Sequence, residues 1–530
     1  LRRPCGEAAA LWRSRPGEFP GRLLIGHTYQ ERAVSRNWSN YQLAVFDANI
    51  KTTNNRFVVA TAGSGKTTVI EKCIQDVPFE LSVLAVAFGK DIKTTLEQKL
   101  CALSNVTVKT LNGFGYGACR NAVKRYIKIE KKKVENLLYF DVMGKPTAKD
   151  EKDIYYASRG MICRLIGLLK ANMTWEPTDV DIRELMEIHG MSLPKKVPEA
   201  SLIRLIQDTY KRNWSKTAVM DYDDQIAMPL YHGWPVDSYD RVYVDEAQDL
   251  TLGQIELTSL AVGPGGRVYY VGDPRQAIYL FRGADSHAVD NIINRMTCER
   301  MPLSICYRCS KAVVRRAQQK APEIEFFEGS PEGSDTEVLT KDFRTQSQSG
   351  DFVLCRTTAP LVSECLRAIR GGKKASVRGR EIGDRLIEFV DSVGYPLDDT
   401  KGFLEALQVY FHAQQEKLTR GNREDALILL TDTYETIRVF GEECETVPKI
   451  KARIAAIFDD DQGDGIQFMT IHKSKGLEAP RVWCLRPDLL PHKLAKTDEQ
   501  LVAEDNLWFV MVTRCQIDLF WVIPETREAL

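Results

Sequence analysis

Short, almost wholly apolar runs recur along the chain, each bounded by polar or glycine-containing turns. FVVATA (57–62), LSVLAVAF (81–88), RVYVD (241–245) and RVYYVGD (267–273) lack the alternation of a half-exposed strand. Runs of this length, rich in β-branched residues, predict buried parallel strands. Segments 67–76 and 91–103, between them, predict helices. Strands alternating with helices predict a doubly wound α/β domain. DFVLCR (351–356), IQFMTIH (466–472), PRVWCL (480–485) and DLFWVI (518–523) predict a second sheet of the same type. Each set is interrupted by a charged, leucine-containing stretch with helical spacing, over residues 120–222 and 376–462.

The expected organisation follows. Residues 1–36, with seven arginines and no lysine, form a poorly ordered N-terminal segment. Residues 37–119 and 223–295 form the first domain, and 120–222 its helical insertion. Residues 296–375 and 463–530 form the second domain, and 376–462 its helical insertion. A length of 530 residues accommodates this number of domains. With 44% hydrophobic and 27% charged residues, the composition is that of an ordinary globular protein. The formal net charge is zero, which does not exclude nucleic acid, because one groove can be basic on a neutral protein. Thirteen cysteines lie without framework spacing, many in apolar runs, as buried thiols of a reducing compartment do. The one CxxC, Cys306 to Cys309, lacks the second pair or nearby histidines of a zinc site. No uninterrupted apolar stretch reaches the ~18 residues of a membrane span. The lysines Lys131 to Lys133 read as a solvated helix face, with a duplex contact as the alternative.

Two motifs carry chemistry. ATAGSGKTT (60–68) follows a predicted strand and opens a predicted helix. Gly63 and Gly65 let successive backbone N–H groups turn toward an anion. Lys66 brings a point charge to the β and γ phosphates, and Thr67 a hydroxyl to Mg²⁺. Ala62, Ser64 and Thr68 complete the loop. VDEAQD (244–249) ends an apolar strand in two adjacent carboxylates. Asp245 is placed to hold the metal and Glu246 to orient or deprotonate the attacking water. Together these predict ATP hydrolysis with Mg²⁺.

VGDPRQAIYLFRGA (271–284), CYRCS (306–310), FMTIHKSKGLE (468–478) and FVMVTRC (509–515) then follow in order. With the phosphate loop and DEAQD, the chain resembles the UvrD/Rep type of superfamily 1 helicases over about residues 38–520. The resemblance implies two RecA-like domains, each with a mostly helical insertion. It implies that Gln42 reads adenine, Tyr307 stacks on it, and Glu478 approaches the ribose. It implies that Gln276 senses the γ phosphate, which Arg308 and Arg514 reach from the second domain. Phe88, Thr110, Asn112, Tyr279, Phe281, Arg282, Arg356, Thr470 and His472 match positions that face DNA. Asn112 stands where histidine is common in the family and Phe281 where tryptophan is common.

The expectation is an ATP-dependent, Mg²⁺-requiring helicase or translocase. It would move 3′ to 5′ on single-stranded DNA and act at single/double-strand junctions in repair, recombination or replication. It would work as a monomer or weak oligomer with an unidentified recruiting protein. Its place is the cytoplasm or nucleoid of a prokaryote or virus-infected cell, or a eukaryotic nucleus, neither secreted nor membrane-bound. The compact second insertion favours, as the alternative, a translocase that strips bound proteins with little unwinding. A non-motor DNA-binding scaffold is opposed by the intact hydrolytic positions from Lys66 to Arg514.

Overall fold

The computed structural model describes residues 37–525 except 190, 192, 195–196, 279–287, 395–398, 421–423 and 459–463. The expected N-terminal segment and the expected DNA contacts Tyr279, Phe281 and Arg282 lie outside the described residues.

Two six-stranded parallel sheets form the frame. Strands β1 (Arg56–Ala60), β2 (Val83–Ala87) and β3 (Val106–Thr110) begin the first sheet. The chain then leaves it, and the two-residue strands β4 (Lys128–Ile129) and β5 (Val219–Met220) pair in the excursion. It returns as β6 (Tyr239–Val244), β7 (Val262–Gly272) and β8 (Glu299–Leu303). The order across the sheet is β3-β2-β6-β7-β1-β8. The first sheet thus runs on to Leu303, beyond the expected domain end at 295.

The two-residue strands β9 (Ile305–Cys306) and β10 (Glu325–Phe326) pair beside it. The second sheet comprises β11 (Ser334–Leu339), β12 (Phe352–Cys355), β13 (Ala375–Val377), β14 (Ile466–Thr470), β15 (Ala479–Leu485) and β16 (Cys515–Ile523). Its order is β11-β16-β15-β12-β14-β13. Apolar runs make the central strands: β2 and β12 are buried along their whole length. Phe57, Leu84, Val242 and Val268 build one core, and Val353, Phe468 and Trp483 another. β8 carries Pro302, which an edge strand tolerates because one side makes no ladder.

The first excursion carries the helices Lys149–Ala171, Asp179–Ile188 and Glu199–Ser215. The second, between β13 and β14, carries Arg380–Val393, Thr400–Arg420, Glu424–Glu443 and Val447–Ile457. The solvated face expected at Lys131 to Lys133 is corrected at its last member. Lys133 is 2% exposed, and its Nζ lies 2.6 Å from Asp224 Oδ2. Lys170 Nζ completes the buried network, 2.8 Å from Asp221 Oδ2 and 2.9 Å from Asp224 Oδ1. A lysine follows its carboxylate inward when both are paired, which a run of like charges in a sequence does not reveal.

Parallel strands place their C-terminal ends on one edge, where ligands of such sheets bind. That edge gathers the loops after β1, β6 and β7. They hold the expected phosphate-binding residues, the two carboxylates and Gln276.

Candidate active site

The loop after β1 bends at Gly63 (φ +68°) and Gly65 (φ +83°), in the left-handed region where a side chain would be strained. Gly65 leads into the helix Lys66–Gln75, whose first N–H groups face the loop. A Cβ on Gly63 would lie 2.6 Å from Arg308 Cβ, so the loop is seated directly on the segment after β9. The Tyr307 N–H donates to Gly63 O at 2.9 Å, joining the two.

The hydroxyl of Thr67 donates to Asp245 Oδ2 at 3.1 Å. Burial, then the neighbouring Glu246, push the Asp245 carboxyl well above the usual carboxylate range. Burial opposes ionisation at Glu246 too, but Lys66 and Lys475, the Gln248 hydrogen bond and Arg514 outweigh it and keep Glu246 ionised. A cation between Thr67 and Asp245 would relieve this crowding, so the donor set fits Mg²⁺. Glu246 itself has φ +53°, a strained backbone conformation just after β6.

Gln248 steadies that carboxylate. Its Nε2 donates to Glu246 Oε2 at 2.5 Å, while its Oε1 accepts the Asp273 N–H at 3.0 Å. Asp273 in turn accepts from Gln276 Nε2 at 2.7 Å. Burial raises the Asp273 pKa.

The second sheet supplies cations. Arg514 is 1% exposed and donates through Nη2 to Gln276 Oε1 at 3.3 Å. Burial, then Arg308, lower its pKa to about 10, so it remains a cation. Arg308 pairs with Glu478 and donates to Thr513 O at 3.3 Å. Lys475 pairs with buried Asp249 and donates to Gln276 O at 2.7 Å. Four cations (Lys66, Lys475, Arg308, Arg514) therefore converge with Asp245, Glu246, Asp249 and Asp273. At the other end of the cleft, Tyr307 OH lies 3.5 Å from Gln42 Oε1, and Gln42 is 5% exposed.

The structure brings Gln42, the loop from Ala62 through Gly63, Ser64, Gly65, Lys66 and Thr67 to Thr68, Asp245, Glu246, Gln276, Tyr307, Arg308, Glu478 and Arg514 to one cleft. Lys475, Gln248, Asp249 and Asp273 belong to it as well. They were not among the expected site residues, although all four lie inside the quoted motifs.

The expected DNA-facing residues gather elsewhere. Thr110 ends β3 beside Ala87 of β2, so Phe88, Thr110 and Asn112 share one edge of the first sheet. Phe88 is 40% exposed. Thr110 caps the helix Leu111–Val123 by accepting the Gly113 N–H. Asn112 Nδ2 donates to Tyr222 O at 2.8 Å. In the second sheet Thr470 of β14 is the register partner of Cys355 of β12, so Arg356, Thr470 and His472 share the equivalent edge. Arg356 is bound there by both oxygens of Glu504. Among the described residues no group of histidines, cysteines and carboxylates forms a further metal site.

Comparison with known proteins agrees with this geometry. Residues 42–297 match the UvrD/REP helicase N-terminal domain, and residues 443–525 the UvrD-like helicase C-terminal domain. The ATP-dependent DNA helicase PcrA of Staphylococcus epidermidis is 21% identical over 459 residues, covering 62% of this chain and 62% of that protein. F-box DNA helicase 1 of Gallus gallus is 26% identical over 249 residues, covering 43% of this chain and 22% of that protein. Likeness to the solved arterivirus nonstructural protein 10 helicase with DNA is slight, with a TM-score of 0.34 and 13% identity over 92% of this chain and 64% of that one. The chain thus spans about three fifths of the length of PcrA. Two matched domains in order, laid over a cleft that assembles the motif residues of both sheets, place the chain in the UvrD/Rep family of superfamily 1 helicases.

Proposed function

We propose that this chain is an ATP-dependent, Mg²⁺-requiring DNA helicase or translocase. It moves 3′ to 5′ on single-stranded DNA and engages single/double-strand junctions inside the cell, in the nucleoid or nucleus. The observation that carries the reading is the contact of Arg514 with Gln276 at 3.3 Å, beside Lys66 and Glu246. It links a cation of the second sheet to the nucleotide side of the first.

Lys66 and the loop N–H groups bind the β and γ phosphates, Gln42 and Tyr307 the base, and Glu478 the ribose side. Glu246, kept ionised, takes the proton of the attacking water. Arg514 and Arg308 meet the charge that develops on the leaving phosphates. Mg²⁺ bound at Thr67 and Asp245 would neutralise charge on the phosphate oxygens. Because the arginines stand on the second sheet, hydrolysis is fastest when the cleft is closed, and product release lets it open. Phe88, Thr110 and Asn112 on one sheet, and Arg356, Thr470 and His472 on the other, then grip the strand in alternation. Tyr279, Phe281 and Arg282 are proposed to join them.

The test is the ATPase rate with and without single-stranded DNA, for wild type and Glu246→Gln. The expected result is strong stimulation by single strands and a loss of roughly 10²–10⁴-fold in the variant. A rate unchanged by DNA would sink the motor reading. Strand displacement on duplexes with 3′ or 5′ tails then decides direction.

A further inference from the structure

The segment that carries Tyr307 and Arg308 is bracketed by two thiols. Cys306 and Cys309 are fully buried and both are free. The Cys309 N–H donates to Cys306 Sγ at 3.4 Å. Cys73, Cys119, Cys298 and Cys365 show what burial alone does here: each thiol is pushed up to about 12. Cys306 goes the other way. Its contacts with Cys309 hold it below the usual thiol range, against the effect of burial. A thiol held this way ionises more readily than its buried counterparts, and a second cysteine lies one turn away to resolve it.

The surroundings give the pair something to control. A Cβ on Gly63 would lie 2.8 Å from Cys306 Sγ, so the phosphate loop is the cover over this sulfur. Cys309 Sγ donates to Thr513 O at 3.8 Å, the same carbonyl that accepts from Arg308 Nη1. Thr513 is the neighbour of Arg514. The two sulfurs therefore touch the phosphate loop at one end and the anchor of both arginines at the other.

We propose that Cys306 and Cys309 form a reversible disulfide site that takes a low-molecular-weight disulfide as oxidant, and that its closure withdraws Tyr307 and Arg308 from the nucleotide. The Cys306 thiolate attacks one sulfur of the oxidant, breaking its S–S bond and expelling one thiolate. Cys309 gives up its proton and attacks Cys306 Sγ, closing the protein disulfide and expelling the second thiolate. The oxidant takes the two electrons and leaves as two thiols, which carry the two protons lost by the protein. The ring so closed contains Tyr307 and Arg308 and removes the donor that Cys309 offers to Thr513. A closed cleft keeps Gly63 over Cys306, so bound nucleotide protects the pair and an open cleft exposes it.

The effect on nucleotide rests on the ATP-binding reading; formation of the disulfide does not. The full chain is incubated with glutathione disulfide, with and without a non-hydrolysable ATP analogue. The peptide spanning 306–309 is then mapped by mass, and affinity for a fluorescent ATP analogue is measured. The expected result is loss of two hydrogens from that peptide, slowed by the analogue. Affinity should fall roughly tenfold or more, as displacement of positioning groups does, and return with dithiothreitol. The double variant Cys306→Ser, Cys309→Ser should keep its affinity under the same oxidant. Failure of the 306–309 disulfide to form, or its formation with affinity unchanged, overturns the proposal. Equal loss of affinity in the double variant also overturns it. If reduced wild type does not bind the analogue, the ATP reading fails, and the mass map alone decides whether the disulfide site exists.

Discussion

Gln248 shows how much of the site depends on one uncharged side chain. Its amide holds Glu246 by one end and the Asp273 backbone by the other. Gln248→Ala should leave the phosphate loop intact, so nucleotide affinity should hold. It should also free the Glu246 carboxylate from its orientation and leave a buried N–H unpaired. The expected change is a fall of roughly 10²-fold in kcat with KM for ATP little altered, read from steady-state kinetics. A rise in KM alone would mean that Gln248 serves binding. The residues of the loop after β1 could be read together in the sequence because that loop is contiguous: Gly63 to Thr67 sit in one turn. Lys475, Gln248 and Asp273 were harder to single out. Gln248 and Asp273 are joined to each other only where β6 and β7 end side by side, and only folding brings Lys475 onto Asp249. Lys133 was misread for the same reason, since its counter-ion Asp224 is distant in sequence and the two are buried together.

Among elements, the strands that were legible are those with a largely apolar run, buried throughout in β2 and β12. In the two six-stranded sheets, β3, β8, β11 and β13 went unrecognised. Each is partly exposed, polar or very short, as in SDTEVL of β11, and gains its structure from a neighbour in the sheet. The helical insertions were legible as helices, but not their attachment. The helix Leu111–Val123 touches the helix Asp224–His232 through Gly115, where any Cβ would strike Gln225 O at 2.0 Å. The network of Lys133, Lys170, Asp221 and Asp224 fixes the insertion helix Lys149–Ala171 to the same place. Lys170→Met leaves two carboxylates short of a buried partner and should cost about 3–5 kcal/mol, seen as a lower urea midpoint. Burial opposes ionisation of Asp224, but Lys170 and Lys133 with the Lys133 and Asn213 hydrogen bonds hold its pKa below the ordinary range. Its folded pKa lies below the unfolded one. The network's contribution is therefore complete above about pH 4 and is lost as pH falls further. Unfolding midpoints measured across that window should converge for wild type and Lys170→Met at the acid end. Parallel curves would show that the network holds nothing.

At the scale of the molecule, the two sheets meet through charge. Lys475 leaves the loop before β15 and pairs with Asp249 behind β6, while its second bond reaches the Gln276 carbonyl. Burial pushes the Asp249 carboxyl up to about 6, with Lys475 pulling against it. Without Lys475, Asp249 would be buried with its charge uncompensated, so the pair favours closure as long as the lysine is present. The same closure brings Arg514 to Gln276, whose side chain and carbonyl thus receive one cation each from the second sheet. A nucleotide that draws Arg514 and Arg308 inward therefore also seats Lys475. A strand held by the sheet edges beyond Phe88 and Thr470 would be moved by that same displacement. If this linkage is real, Lys475→Met and Asp249→Asn should not act independently. Each alone should weaken ATP-analogue binding, and the double variant should lose much less than the sum, giving a coupling of about 0.5–3 kcal/mol. Donor and acceptor dyes placed on the two sheets should report a more open cleft in Lys475→Met at saturating analogue. Strict additivity, with the dye separation unchanged, would make the pair local packing. The arginines alone would then close the cleft.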